Sequence, residues 1–256
     1  MLLKTGKMAR YPGKGDNPAS FVIGDHAPPL SPFRYMPFDP HLAMLLDAKW
    51  FYTDWREPFV AAEWTQTLTA GGTIARTTDK ALLFTTDVND NDINVLQHLR
   101  AFTPAANSFA AAYFRLQFSN ATETDILAGF WATDASPVAS EPTNAAYHLK
   151  SDDGVLSLGR TNDAGATGSN TATLITTTVA ATDYDFGVVI KPTSASAGTV
   201  WFQYKAASSG TWLQAAAKTT DFPAAATRFS MAIQNGSGAA RTMTVKRYAF
   251  ACYDGG

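Results

Sequence analysis

Residues 109–118 read FAAAYFRLQF. Phe114, Leu116 and Phe118 alternate with Tyr113, Arg115 and Gln117. A period of two puts the first set on one face of a strand and the second set on the other. The stretch therefore predicts a β-strand with one face for a core and one for a wetter surface. Working outward, residues 126–131 (ILAGFW) form a short apolar run bounded by polar clusters. Residues 146–149 and 155–158 flank Ser151-Asp152-Asp153-Gly154, a hairpin signal because Asp-Gly suits positive φ. Residues 185–191 (DFGVVIK) and 199–205 (TVWFQYK) flank a Pro/Ser/Ala/Gly loop, and residues 228–234 (RFSMAIQ) and 241–252 (RTMTVKRYAFAC) flank Asn235-Gly236-Ser237-Gly238. In the last stretch, strict alternation predicts Met243, Val245, Arg247 and Ala249 on one face, with Thr244, Lys246, Tyr248 and Phe250 on the other. Short strands at near-regular spacing, with turn chemistry between them, predict a β-sandwich or barrel.

Composition narrows the function classes. The chain has 256 residues, of which 46% are hydrophobic and only 16% charged, against about 25% charged in an average domain. Thr, Ser, Asn, Gln and Ala must therefore cover much of the surface. A net charge of −2 gives no global basic field for nucleic acid. No apolar run reaches the roughly 18–20 residues of a membrane-spanning helix. The start, MLLKTGKMARYPGKGD, lacks the apolar core of a secretory signal. One cysteine, Cys252, excludes an intramolecular disulfide framework and a Cys-rich zinc site. These features together predict assembly in a reducing cytoplasm.

The chain divides into two regimes. Residues 1–46 hold seven of the 13 prolines, and proline disfavours both helix and central strand. The segment also carries Tyr11, Phe21, Val22, Ile23, Phe33, Tyr35, Met36 and Phe38, whereas disordered linkers are poor in aromatics. Five basic and three acidic residues give it a charge of +2. It reads as an extended arm made to lie on another surface, with Arg10, Tyr11, Phe21, Phe33, Arg34, Tyr35 and Phe38 as its contact residues. A loop that wraps its own domain is the plainer alternative. Residues 40–48 (PHLAMLLDA) suit a short helix or a lead-in to the first strand. Residues 47–256 form the predicted sandwich domain.

Within that domain, residues 54–86 contain Phe59, Trp64, a Gly71-Gly72 turn and ALLFTT. TDVNDNDIN (86–94), the aromatic strand with Phe114, Arg115 and Gln117, a Gly129-Phe130 strand and the Asp152-Asp153-Gly154 hairpin follow. DFGVVIKP, GTVWFQY, GTW and MTVKRYAFAC complete the order. This order resembles the concanavalin/laminin-G-like sandwiches found among bacteriophage virion structural proteins. The resemblance covers roughly residues 47–256. It implies an all-β fold, an antiparallel two-sheet jelly roll, and a non-enzymatic capsid decoration (cement) protein at the capsid surface of a virion. Its implied partners are the major capsid protein and other copies of itself, with a homotrimer ahead of a dimer. Neither nucleic acid, membrane nor cofactor is implied. The alternative is a carbohydrate-binding module or a receptor-binding or fibre component.

Chemical motifs are few. Asp87, Asn89, Asp90, Asn91 and Asp92 supply oxygens at spacings suited to calcium. Asp92 stands where an EF-hand needs Gly, however, and His98 where it needs Glu. An Asx-turn loop explains the run without metal. Asp152 and Asp153 could join Glu123, Asp125 or Glu141 as a glycosidase pair, but the hairpin already explains them. His26, His41, His98 and His148 lack the i, i+4 spacing of a zinc helix, and no Gly-x-Ser-x-Gly elbow occurs. No catalytic or metal-binding residue is therefore assigned. The six tryptophans make the best case for a glycan partner, because aromatic rings offer an apolar face with a polar edge and jelly rolls often hold lectins. Trp131 and Trp201 lie in apolar runs and read as core. Trp212, beside a Ser-Ser-Gly turn, reads as exposed and available to stack on sugar.

Overall fold

The computed structural model describes residues 49–53, 61–79, 81–163, 165, 169–170, 174–175, 178–206, 213–215 and 217–253. For 49–53, 157, 158, 169, 170, 174, 175 and 206 the description covers backbone alone. The arm, with Arg10, Tyr11, Phe21, Phe33, Arg34, Tyr35 and Phe38, lies outside the described residues, as does Trp212.

Among the described residues the strands are β1 (Lys49–Thr53), β2 (Trp64–Leu68), β3 (Thr73–Arg76), β4 (Leu82–Thr85), β5 (Ile93–Phe102), β6 (Phe109–Phe118), β7 (Thr124–Trp131) and β8 (Ala145–Lys150). They continue with β9 (Leu156–Asn162), β10 (Ser169–Asn170), β11 (Leu174–Ile175), β12 (Tyr184–Pro192), β13 (Gly198–Ala206), β14 (Leu213–Gln214), β15 (Thr227–Asn235) and β16 (Thr242–Tyr253). Two eight-stranded sheets result. Sheet A runs β14-β13-β12-β6-β16-β4-β3, and β1 also pairs with β16. Sheet B runs β10-β9-β8-β7-β15-β5-β2, and β11 also pairs with β9. Pairing is antiparallel. The all-β, two-sheet sandwich predicted from residues 47–256 is the observed architecture.

The predicted hairpins form. β8 and β9 turn through Gly154, whose φ is 84°, and its amide donates to the Ser151 carbonyl at 3.0 Å. β12 and β13 pair along their whole length, from Tyr184 opposite Ala206 to Pro192 opposite Gly198. β15 and β16 instead enter different sheets, so the Asn-Gly-Ser-Gly stretch is an arch over the core edge.

The core lies between the sheets. Phe114, Leu116 and Phe118 point inward from β6, as the alternation predicted. Phe229 on β15 stacks on Phe114 at 4.8 Å and on Phe250 at 4.5 Å between ring centroids, so one ring of sheet B joins two strands of sheet A. Offset aromatic pairs of this kind add about 0.5–1.5 kcal/mol each beyond area burial. Gly159 on β9 sits directly over Phe202 of β13, where a Cβ would lie 2.1 Å from the ring. That glycine lets the sheets approach at this point.

Polar side chains also pin the sheets together. Asn94 on β5 donates to the carbonyls of Thr73 and Thr85 at 3.3 and 2.7 Å. His148 on β8 reaches the Gly187 carbonyl on β12 with Nε2 at 3.0 Å. Within sheet B, the Lys150 ammonium, buried among core side chains, donates to the Thr124 carbonyl and hydroxyl of the neighbouring strand. Burial presses its pKa down to about 8. His98 is wedged edge-on between Trp64 and Phe250. Burial, and then the charges of Arg100 and Arg228, push its pKa down to about 4, so it is a neutral core histidine.

The last strand departs from strict alternation. Its register shifts between Val245 and Arg247, which marks Lys246 as the extra residue of a β-bulge. One extra residue exchanges the two faces beyond it. Met243 and Val245 point inward, and so do Tyr248, Phe250 and Cys252. Ala249 and Ala251 point outward.

Candidate functional site

Charge is scarce in this chain, and four charged residues share one row on the outer face of sheet A. Asp185 pairs in register with Arg115 on one side and Lys205 on the other, and Arg115 pairs with Arg247. The four residues thus form a row across β16, β6, β12 and β13. The next row is Ala249, Tyr113, Gly187 and Gln203, and the one after it Ala251, Ala111, Val189 and Trp201.

Asp185 is the anchor. It is buried, and its Oδ1 accepts from Tyr113 Oη at 2.6 Å and from Arg115 Nε at 2.7 Å. Its Oδ2 accepts from Arg115 Nη2 at 2.7 Å, with Lys205 Nζ 4.0 Å away. This bidentate clasp fixes the guanidinium plane and holds the Arg115 pKa above its ordinary value. Burial, and then the neighbouring carboxylate, raise the Tyr113 phenol, so that it stays a neutral donor. An arginine carries five N–H donors; among the described residues, Asp185 takes two of those on Arg115. Arg115 is half-buried, with 27% of its side chain exposed. Gln203 donates to Gln214 at 3.1 Å on the β13 side, and Lys246 pairs with Asp183 at 2.6 Å.

Trp201 stands two residues along β13 from Gln203. It is not a filler of the inter-sheet core: it packs half-buried against Val189 and the alanines of the outer face. Trp131 is fully buried, as expected, but on the outer face of sheet B, in a cluster with Val138 of the 132–144 loop packed against it. Trp64 belongs to the inter-sheet core.

The other sequence candidates resolve differently. In the acidic loop, the Asp87 carboxylate accepts from the amides of Gly71 and Val88, and Asp92 from the amide of Asn89. Asn235 and Gln234 donate to carbonyls of Asp87, Asn89 and Asn91. These oxygens build the loop itself, which is the Asx-turn reading. Among the described residues no group of three or more His, Cys, Asp or Glu is arranged to hold a metal ion. Of the candidate carboxylates, only Asp125 meets Asp152: its Oδ1 accepts the Asp152 amide at 3.0 Å. Burial, and then the Asp152 charge, raise Asp125 to about 6. Glu123 is paired with Arg241 and Glu141 with Arg160, and Asp153 closes its own turn on Ser151 and Val155.

Two antiparallel sheets in this order make a β-sandwich of lectin-like fold. Solved structures bear this out. Arcelin-5, a lectin-like defence protein from Phaseolus vulgaris, matches with a TM-score of 0.57 and 7% identity over 80% of this chain and 98% of that one. Lectin I from Ulex europaeus, in complex with the methyl glycoside of α-L-fucose, gives 0.54 and 10% identity over 80% and 98%. A protein of unknown function from Shewanella oneidensis MR-1 gives 0.56 and 13% identity over 84% and 94%. At these identities the likeness is one of fold. No protein-family profile and no curated protein matches the sequence.

Proposed function

We propose that the protein binds carbohydrate, without turning it over, on the outer face of sheet A. The observation that carries this reading is the array of Arg115, clasped by Asp185 and Tyr113, one row from Gln203 and two rows from Trp201. Planar donors held rigid suit vicinal hydroxyls, and an indole face suits the apolar side of a sugar ring. Support for this reading comes from the lectin-like fold, and from the sugar held by one of the neighbours.

The resemblance to virion proteins joins this proposal as a setting. A receptor-binding or fibre component displays such a face at a virion surface. Capsid decoration, with the major capsid protein as partner and a homotrimer as the unit, rests on that resemblance and on the arm. None of the three neighbours described above is named as a virion protein. The carbohydrate reading therefore takes first place.

Applied to a glycan array, the full chain is expected to retain a defined subset of glycans. Trp201→Ala and Arg115→Ala, tested on the best ligand, should each weaken binding at least tenfold while leaving the unfolding transition cooperative. A silent array, or both variants binding like the parent, contradicts the proposal.

A further inference from the structure

The row that crosses β16, β6, β12 and β13 is unbalanced in charge. Arg247, Arg115 and Lys205 share it with one carboxylate, Asp185. Asp185 is committed to Arg115 at 2.7 Å, with Lys205 4.0 Å away. The nearby Asp183 is committed to Lys246 at 2.6 Å. The pairs Arg115–Asp185 and Lys246–Asp183 are neutral, so among the described residues Arg247 has no carboxylate of its own. Its partner across the ladder is Arg115, and like charges directly opposite each other destabilise a sheet. The chain as a whole carries a net charge of −2, so composition does not account for the excess of positive charge here.

The backbone places Arg247 in this row by a specific device. Strict alternation would put it on the inner face with Val245. The extra residue of the β16 bulge, Lys246, turns it outward beside Arg115. Bulges re-aim side chains in this way next to functional sites. Both guanidiniums are half-buried, so their charge is less screened than on an open surface. A guanidinium fork suits an oxyanion that offers two equivalent oxygens. Uronic and sialic acids carry such a group as a carboxylate, and sulfated sugars carry it as a sulfate ester. Asp185 does not compete for the fork of Arg247, because both its oxygens already accept from Arg115 and Tyr113.

The same ladder sets the length of the ligand. Trp201 lies two rows along the strands and two strands across from Arg115, or about 13 Å along and about 10 Å across. That separation exceeds one sugar ring, so a ligand that meets both is an oligosaccharide. We propose that the carbohydrate of this face is an acidic oligosaccharide whose carboxylate or sulfate lies between Arg247 and Arg115. This inference rests on the carbohydrate reading above and adds the charge of the ligand.

The test applies the full chain to one array of uronic-acid-bearing, sialylated, sulfated and neutral oligosaccharides. The best acidic ligand is then compared by calorimetry with its carboxyl-reduced or desulfated counterpart. Expected is a preference for the acidic form of about tenfold, the worth of one charge-assisted hydrogen bond, and added salt should erode it. Arg247→Gln, with the cooperative unfolding of the parent, should lose most of that preference. Retention on the uronic and sialylated glycans assigns the row to a carboxylate, and retention on the sulfated ones assigns it to a sulfate ester. Retention of neutral glycans alone, or equal affinity for the two forms, overturns this inference and leaves carbohydrate binding standing. An unchanged preference in Arg247→Gln overturns it as well. A silent array overturns both.

Discussion

Phe229 joins the sheets through its stacks on Phe114 and Phe250, so Phe229→Ala is expected to cost about 3–5 kcal/mol, read from urea unfolding. Asp185 is the other residue on which much rests. Asp185→Asn leaves Arg115 with its charge and no anion, a loss of about 3 kcal/mol by analogy with broken buried pairs, and it should weaken glycan binding by releasing the guanidinium. The pairing was hidden in the sequence because its members lie 70 residues apart. What the sequence did show was an arginine and an aspartate inside otherwise apolar strands. Lys150 sets a pH dependence of its own. Its folded pKa of about 8 lies below the ordinary 10.5, so the unfolded chain holds more protons between those values and stability rises with pH across that window. In Lys150→Met, the slope of unfolding free energy between pH 8 and 10.5 should flatten. An unchanged slope would remove Lys150 from the account. His98 acts in acid: with a folded pKa of about 4 against 6.5, its contribution is lost as pH falls through that range. Asp125, raised to about 6, opposes it, because its contribution is lost as pH rises toward 6.

At the scale of the element, the bulge in β16 decides which side chains reach the core. Deleting Lys246 alone would leave a regular ladder with Tyr248, Phe250 and Cys252 still facing the core, so that variant is expected to unfold cooperatively. Deleting Lys246 and Arg247 together would turn the three outward and is expected to abolish the cooperative unfolding transition. Gly159 sets the approach of β9 to β13. Gly159→Ala places a methyl group inside the Phe202 ring contact and should cost about 1–3 kcal/mol. The β6 strand and the β8–β9 and β12–β13 hairpins were legible because periodicity and turn residues are local signals. The bulge was not, since Val245, Lys246 and Arg247 carry no mark of a register shift until their partner strand is known. Trp201 was misplaced for a related reason. An apolar run such as TVWFQYK reads as core on both faces, and only the second sheet shows which face is inside.

For the whole molecule, the fold class followed from strand patterning, whereas the binding face depends on which four strands stand side by side. The low charge content takes on a more specific meaning in three dimensions. Both outer faces carry buried apolar clusters, and Arg115, Asp185, Lys205 and Arg247 meet in a single row. Function on this account belongs to a sheet surface, with rigid strands in place of loops holding the donors. NMR shift mapping of the full chain, titrated with its best glycan, tests that claim most directly. The account predicts that the largest amide shifts fall on β6, β12 and β13 around Arg115, Asp185, Gln203 and Trp201. Shifts confined to sheet B, or to loops at the ends of the sandwich, would contradict it.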